Sequence, residues 1–439
     1  MTGRRLAAAL LLGAWSAGVP AGAQTTTTAG PFTLILGGQA RWREEFVRGF
    51  FTLPISDGYG QSRLLLASDL TVGRKPRGYG RLFVEARDAQ SYGRTLPGGV
   101  RPVDADRADF QTAFVDLGRG ASLLRVGRQE IALGRERLFG APDWANTRRS
   151  SQGARLLLVR GPLALELVDA RPIVVRLRLP NLADSTQRFR TLSLGSAPGA
   201  KPLLTGAPTT WQLYWIEQRV RPPTTPAQHA YRITSGGRAV WQWAGARAVA
   251  RSLEVETARQ LGSIGTRRID AGFWVVEAQG QWKRRRGAPS LALGVEGATG
   301  DHAATADRAE AFTMLYPAAH QHGGYADVFG RANLRELHAI AQWVPVKTVD
   351  LRVAAYRFDR RRLDDGVYLK QGAAIFRPAG TSRARHVADE VDVTGSWRMT
   401  SHLRFIFGGA LVAPGAFLRE TLAGTTLERW GFLGTTATF

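Results

Sequence analysis

Apolar and polar side chains alternate with a period of two along many stretches of this sequence. In one of them, the apolar Leu64, Leu66 and Val72 alternate with positions that include Arg63 and Asp69. Successive side chains of a β-strand point to opposite faces, so this period predicts strands with one apolar and one polar face. The same pattern recurs in residues 81–87, 274–282, 391–399 and 403–411. We therefore expect an all-β chain.

The lengths of these runs distinguish two all-β architectures. The apolar face packs into the core of a soluble sandwich, whereas it meets lipid in a transmembrane barrel. Several runs last about 9 to 12 residues, which is the length that a tilted strand needs to cross a bilayer. Trp274 and Trp282 also lie at the two ends of one apolar face, as interfacial aromatic residues do. The sequence therefore predicts a transmembrane antiparallel β-barrel.

The connections between the runs alternate in length. Short connections are expected at residues 119–121, 161–162, 245–247, 345–347 and 400–401, and long ones at about 91–108, 132–151, 172–208, 300–333, 360–386 and 413–427. Short periplasmic turns and long extracellular loops are typical of outer-membrane barrels. Counting the runs gives about 18 strands, the run near 229–236 being the weakest, and an even number places both chain ends in the periplasm.

The two chain ends agree with this location. Arg4 and Arg5, an apolar run over residues 6–17 and a small-residue site at 21–23 have the layout of a secretory signal. We expect residues 1–23 to be removed and residues 24–439 to form a single barrel domain in the bacterial outer membrane. The terminal Phe439 resembles the aromatic carboxy-terminal signature that such barrels present to their assembly machinery.

Charge and cysteine content exclude other classes. The formal net charge is +23, of which the two arginines of the expected signal account for two, leaving +21. The chain has no cysteine, which argues against a small disulfide-stapled secreted fold. After the expected signal it has no apolar run of about 18 residues, which argues against a helical membrane protein. An exported protein with scattered basic residues is not expected to bind nucleic acid.

One predicted connection is unusually basic. Between Arg125 and Arg155 the chain contains Glu130, Asp143 and five further arginines, which are Arg128, Arg135, Arg137, Arg148 and Arg149. The strand count places this connection between the fifth and sixth strands on the long-loop side, where it could fold into the lumen. A guanidinium binds a carboxylate through two parallel hydrogen bonds and stays charged at physiological pH.

We therefore predict a pore constriction for an anionic sugar polymer, formed by these five arginines together with Glu130, Asp143 and Arg155. The alternative is that Glu130 and Asp143 pair with some of the arginines and only hold the loop in place. Both can hold at once, because the arginines outnumber the acids within the motif.

Further charges are expected on the inward faces of the strands. Six arginines occupy polar positions and are predicted to line the pore: Arg63, Arg81, Arg87, Arg125, Arg398 and Arg404. A charge on the lipid face would cost roughly 2 to 4 kcal/mol near the bilayer midplane, which favours the inward direction. Five acids share this face: Glu85, Glu254, Glu256, Glu277 and Glu296. Such a mixed lining would bind cargo weakly and repeatedly, as transport requires.

Two groups of titratable residues raise other chemistries. His320, His322, Asp327 and His338 are close in sequence, but their spacing matches no defined metal site, so we predict neither a metal nor another cofactor. The pairs Asp301-His302 and Asp364-Asp365 could belong to a polysaccharide-degrading enzyme. No scaffold that would fix a carboxylate separation is evident, so an enzyme is not predicted.

The basic connection also carries a family motif. Its residues are Gly127-Arg128-Gln129-Glu130, Gly134, Arg137-Leu138, Pro142-Asp143-Trp144, Asn146, Arg148-Arg149-Ser150 and Gly153-Ala154-Arg155-Leu156. This motif resembles the central motif of the alginate export family of outer-membrane barrels, and the flanking segments 111–117, 300–301 and 325–334 agree. The sequence departs from the family pattern at Ser151-Gln152, where an aromatic residue and an acid are more usual.

The resemblance implies an 18-stranded barrel through which an anionic exopolysaccharide leaves the cell, with an electropositive pore and no chemical turnover. The expected partners are an anionic polysaccharide or acidic oligosaccharide, outer-membrane lipid and lipopolysaccharide, the barrel assembly machinery and periplasmic export partners. Two alternatives stay open: an anion-selective uptake porin for small acidic sugars, and a surface enzyme that degrades polysaccharide.

Overall fold

A computed structural model describes residues 24–74, 76–222, 224–244, 249–283, 285–370 and 375–439. The expected signal at 1–23 and the expected turn at 245–247 lie outside these ranges. The helical content of the described residues is small, with one α-helix, Ala416–Thr421, and three short 3₁₀ turns, Phe50–Thr52, Pro226–Gln228 and Ala319–Gln321. None of the helices in these ranges has the length and apolar character needed to cross a bilayer.

Eighteen antiparallel strands form one closed sheet. They are β1 Phe32–Arg48, β2 Ser56–Arg74, β3 Gly78–Tyr92, β4 Asp106–Arg119, β5 Ser122–Gln129, β6 Ser151–Arg160, β7 Leu163–Val174, β8 Gln187–Ser196, β9 Thr210–Val220, β10 Ala230–Ala244, β11 Val249–Ile264, β12 Arg267–Trp282, β13 Ser290–Ala298, β14 Leu334–Val346, β15 Val349–Arg360, β16 His386–Arg398, β17 Leu403–Pro414 and β18 Glu428–Thr438. Consecutive strands pair with each other, and β18 pairs with β1 through Thr438 and Gln39. The predicted all-β barrel of about 18 strands is confirmed.

The first described residues and the last residue of the chain meet at β1. A short strand, Thr25–Ala29, pairs with the first residues of β1, just beyond the point where β18 ends. Phe439 and Gly38 exchange two main-chain hydrogen bonds, with N···O distances of 2.6 and 3.1 Å. A Cβ at Gly38 would lie 2.5 Å from the Phe439 ring, so this close approach requires glycine. Thr25–Ala29 and Phe439 therefore share one edge of β1.

The alternation of apolar and polar residues determines which face of each strand points outward and which points into the barrel. On β2, Leu64 and Leu66 are exposed on the outside of the barrel, whereas Arg63 and Leu65 are buried on the inside. The face assignment made from the period of two is therefore correct for this strand. The exposed apolar residues form the surface that meets lipid, and the polar residues line the interior.

The predicted connection at 172–208 is wrong, because it contains β8. This strand was missed because Arg188 and Arg190 occupy its outward positions, so its apolar outward face begins only at Leu192. As a result, residues 197–209 connect β8 to β9 on the short-turn side, not on the long-loop side. The weak run near 229–236 belongs to a complete strand, β10.

Two connections on the long-loop side fold into the lumen. They are the β5–β6 loop, residues 130–150, and the β13–β14 loop, residues 299–333. They pair through main-chain hydrogen bonds from Gly140 N to Tyr316 O, 2.7 Å, and from Tyr316 N to Leu138 O, 2.9 Å. Apolar residues of both loops pack against inward residues of the wall, in a cluster that includes Leu138, Phe139, Phe189, Phe273, Phe312 and Leu315. The interior is therefore narrowed by packed loops.

Candidate pore constriction

The β5–β6 loop contacts opposite walls of the barrel. At one end Asp143 contacts Arg41 on β1 and Arg63 on β2. At the other end Arg135 and Arg137 contact acids on β11 and β12. Strands β2 and β11 lie nine apart in a ring of eighteen, so the loop crosses the whole lumen.

Asp143 lies against three arginines, which we call the Asp143 cradle: Arg41, Arg63 and Arg148. Its Oδ1 is 2.8 Å from Arg63 Nη2 and 3.7 Å from Arg148 Nη1, and its Oδ2 is 3.9 Å from Arg41 Nη1. Burial raises the pKa of Asp143, but the three guanidinium groups outweigh burial and lower the pKa to about 2. The Asp143 side chain is still 42% exposed, whereas that of Arg63 is 0% exposed. The cradle therefore presents a bound carboxylate to open space.

The main chain near Asp143 is held by the same arginines. Arg41 Nη1 donates to the carbonyl oxygen of Asp143 at 2.6 Å, and Arg43 Nη1 donates to that of Trp144 at 2.7 Å. Arg43 also stacks over the Trp144 ring, 3.9 Å from its centroid. Asn146 donates to three main-chain oxygens of the wall and of the β3–β4 connection, those of Ser62, Gln90 and Asp104. The loop tip is thus rigidly positioned.

Arg148 is balanced by two acids besides Asp143. Its Nε lies 2.8 Å from Glu130 Oε1, and its Nη2 pairs with Glu85 on β3. Burial lowers the pKa of Arg148, and Glu130 and Glu85 raise it above its usual value by a larger amount. Both Glu130 and Asp143 pair with this arginine, as the alternative interpretation of the motif expected.

Arg135 and Arg137 are paired with carboxylates of the far wall. Arg135 Nη1 is 3.1 Å from Glu254 Oε2 and 2.7 Å from Glu277 Oε1, and Arg137 Nη1 is 2.8 Å from Glu256 Oε2 and also contacts Glu254. Arg135 keeps 40% of its side chain exposed, whereas Arg137 is buried. The excess of arginine over acid within the motif is therefore offset by acids on the strands.

The other predicted constriction residues lie apart from the cradle. Within the described chain, the hydrogen bonds of Arg149 go to the main-chain oxygens of Gly140, Tyr316 and Pro317, and burial lowers its pKa to about 10. Arg128 pairs with Asp109 at 3.1 Å and donates to the main-chain oxygens of Phe110 and Asn181. Arg155, on β6, pairs with Glu166 at 2.5 Å. These three arginines hold loops or strands together.

The six predicted pore-lining arginines fall into two groups. Four are enclosed in the interior and contact acids: Arg63 with Asp143, Arg81 with Asp69 and Asp116, Arg87 with Asp106, and Arg125 with Asp116. Arg398 and Arg404 lie opposite each other at the short-turn ends of β16 and β17, and both are exposed. The last two are therefore at the periplasmic mouth.

Sequence analysis missed Arg41 and Arg43. Both occupy alternate positions of β1 with Glu45 and are buried inside the barrel. The alternation of these charged residues with Trp42 and Glu44 is the signal that would have placed them on the inward face.

The histidines considered as metal ligands contact other groups of the protein. His320 pairs with Asp327 at 3.1 Å, and His322 contacts the main-chain oxygen of Arg135 at 2.7 Å. No cluster of three or more His, Asp or Glu residues suited to a metal occurs among the described residues.

The acid pairs near 301 and 364 come together in space. His302 Nδ1 lies 3.4 Å from Asp364 Oδ2, and Asp301 N donates to Asp365 Oδ2 at 2.8 Å. These contacts join two long-side connections. Main-chain N–H groups donate hydrogen bonds to the carboxylates of Asp301, Asp364 and Asp365.

A closed antiparallel barrel of this size, with an apolar exterior and a charged lumen narrowed by inner loops, defines an outer-membrane channel. The chain belongs to the alginate export family, whose sequence profile matches residues 32–432. The resemblance inferred from the motif is thereby confirmed, and the family and fold indicate a channel in the outer membrane rather than an enzyme. No curated protein matches the sequence.

Solved structures of Pseudomonas aeruginosa proteins share the fold at low identity. OpdO is 11% identical with a TM-score of 0.61, over 92% of this chain and 97% of that one. OccD3 (OpdP) is 12% identical with a TM-score of 0.61, over 95% and 93%. OccK2 (OpdF) in complex with glucuronate is 10% identical with a TM-score of 0.61, over 92% and 96%. At such identities these likenesses concern the fold.

Proposed function

We propose that this channel passes an anionic, carboxylate-bearing polysaccharide across the outer membrane, and that the Asp143 cradle contacts the cargo. The observation that carries the proposal is the carboxylate of Asp143, which lies against Arg41, Arg63 and Arg148 while remaining 42% exposed. A uronate carboxylate has the same chemistry, so the cradle suits a polyuronate such as alginate.

The charge balance of the cradle supports weak binding. Arg148 is matched by Glu85 and Glu130, whereas Arg41 and Arg63 share the single carboxylate of Asp143 among the described residues. The three arginines of the cradle thus face three acids, Asp143, Glu85 and Glu130, and no net charge is left over. A passing carboxylate would exchange with Asp143 at Arg41 and Arg63, and this competition would hold each sugar unit only briefly.

Arg135 supplies a second contact on the far side of the loop. Its exposed guanidinium already pairs with Glu254 and Glu277, so it can neutralise a further carboxylate only in part. Cargo would thus meet arginines held in place at the cradle and, at Arg135, an arginine that already pairs with two acids.

We further propose that residues 1–23 are cleaved as an export signal and that residues 24–439 form one barrel domain.

A second candidate is the uptake of small acidic sugars. The observation that favours it is the similarity in fold to OccK2, whose structure was determined in complex with glucuronate. The same cradle would bind a single uronate carboxylate. The two candidates differ in whether a long chain or a monomer engages the lumen.

Planar-bilayer recordings test the proposal. We expect anion-selective channels that are blocked by oligouronates and not by neutral oligosaccharides of equal length. Arg41→Gln combined with Arg63→Gln should weaken this block about tenfold or more, since each carboxylate loses charge-assisted hydrogen bonds. Arg335→Gln, which removes a half-exposed arginine outside the cradle, is the matched control.

The outcomes separate the candidates. Block that strengthens with oligomer length supports polymer passage, whereas permeation of glucuronate with no dependence on length supports uptake. Cation-selective channels, or equal block by neutral sugars, would contradict both. Release of sugar from polyuronate by the purified protein would favour an enzyme.

A further inference from the structure

Outward-facing side chains form ordered rows on the outside of strands β7, β8 and β9. The register places Arg188 opposite Arg219, and Arg171 follows directly after the paired Ala170 and Phe189. The next outward row towards the short-turn end contains Asp169, Arg190 and Glu217, again directly opposite one another. We call these six residues the β7–β9 arginine patch.

The row below the patch is apolar. Leu167, Leu192 and Trp215 lie opposite one another, two residues further towards the short-turn end. The outer surface therefore changes from apolar to charged between two neighbouring outward rows. A tryptophan at such a step is typical of the interface between the hydrocarbon core and the lipid headgroups. The patch lies on the long-loop side of that boundary, which corresponds to the outer-leaflet headgroups if the short turns are periplasmic.

Internal pairing leaves the patch positive. Asp169 Oδ2 contacts both Arg188 Nη2, at 2.5 Å, and Arg190 Nε, at 3.2 Å, and Glu217 Oε1 contacts Arg219 Nε at 2.6 Å. Four arginines thus face two acids, a surplus of two positive charges. The side chains of Arg188, Arg190 and Arg219 are 43 to 46% exposed.

The two acids of the patch offset the charge of the upper row only in part. Neighbouring strands lie about 4.8 Å apart, and like charges directly opposite each other destabilise a sheet. Arg188 and Arg219 form such a pair, and Arg171 extends the row on the third strand. The arginine fork matches phosphate with parallel charge-assisted hydrogen bonds, so a phosphate above the row would remove the repulsion.

We propose that the β7–β9 arginine patch binds a phosphate group of the phosphorylated glycolipid, lipopolysaccharide, in the outer leaflet. The acyl chains would lie along the apolar row with Leu192 and Trp215, and the phosphate would lie on the arginine row above them. This inference depends on the outer-membrane placement of the barrel and is independent of the cargo proposed for the lumen.

The test compares lipids that differ only in phosphate. Purified protein in detergent is titrated with bis-phosphorylated lipid A and with the same lipid after dephosphorylation, and bound lipid is measured by native mass spectrometry. The wild-type protein should bind the phosphorylated lipid at least about tenfold more tightly. Combined Arg171→Gln, Arg188→Gln and Arg219→Gln should abolish this preference. Arg160→Gln, at the short-turn end of β6, should retain it.

Thermal unfolding provides a second readout. Phosphorylated lipid A should raise the unfolding temperature of the wild type more than that of the triple variant. If the triple variant fails to fold, Arg188→Gln alone should reduce the lipid preference severalfold. Equal binding of the two lipids, an equal loss in Arg160→Gln, or displacement of lipid A by oligouronate would overturn the proposal.

Discussion

Arg63 Nη2 donates a 2.8 Å hydrogen bond to the carboxylate of Asp143, although the two residues are 80 positions apart. Arg63 belongs to the barrel wall and Asp143 to the tip of the β5–β6 loop, so this ion pair attaches the loop to β2. Its arginine is completely buried and its carboxylate is partly exposed to the lumen. The contact is thus a structural tie, and in the proposed function it is also the point at which cargo binds.

Asp143→Asn should increase anion selectivity. The substitution removes the acid shared by Arg41 and Arg63 and leaves their charges to the permeating ions. It should also destabilise the loop by about 1 to 3 kcal/mol, less than for a fully buried pair because Asp143 is partly exposed. Reversal potentials in asymmetric salt provide the measurement. Asp88→Asn, which removes an acid from the outward side of β3, should leave the potential unchanged; a shift of equal size in both variants would argue against the cradle.

Arg148→Gln and Arg149→Gln should differ in their effect on selectivity. Arg148 balances Glu85 and Glu130, so its removal leaves two unpaired acids in the lumen and should raise the cation current relative to the anion current several-fold. Arg149 interacts with main-chain oxygens, so its removal should loosen the contact to the β13–β14 loop with a smaller change in selectivity. Equal reversal potentials for the two variants would contradict this assignment.

The β5–β6 loop should open more often as the pH rises. Glu136 is buried in this loop, and burial raises its pKa to about 7, although a hydrogen bond from the Ala141 N–H opposes the shift. Because this pKa lies above the ordinary value of 4.5, the group contributes fully to stability below about pH 4.5, and the contribution is lost as the pH rises through about 7. The loss is about 3 kcal/mol.

Hydrogen exchange of residues 130–150 between pH 5 and 8, corrected for the intrinsic rate, measures this effect. Glu136→Gln cannot ionise and should remain protected throughout the range. A wild-type loop whose protection is independent of pH would show that Glu136 does not control opening.

Gly153→Ala should impair barrel formation. A Cβ at this position would lie 2.2 Å from the Asp169 carbonyl oxygen of the paired strand, so β6 and β7 would have to separate. We expect a loss of about 1 to 3 kcal/mol, comparable to overpacking in a core. Gly80→Ala is the control, because its Cβ would meet no atom within 4 Å. Heat-dependent mobility on denaturing gels reports the folded fraction, and equal mobility shifts in both variants would refute the expectation.

The alternation could be interpreted correctly wherever apolar residues occupied the outward face, as at Leu64 and Leu66. It failed at β8, since Arg188 and Arg190 occupy outward positions of that strand. A period of two gives the two faces of a strand but not the height of each residue in the membrane. That height depends on strand tilt and register, which the sequence of one strand does not contain.

The sequence by itself determined the class of fold, the family motif and the position of the arginine-rich loop between the fifth and sixth strands, because these depend on local periodicity and on chain order. Only the tertiary structure decided how the loop's charges are used. Arg137 meets Glu254, 117 positions away, and Asp143 meets Arg41, 102 positions away, because barrel closure brings opposite walls within reach of one loop. Charge balance in a lumen is a property of the closed ring, since each ion pair requires a register and a curvature that no single segment specifies.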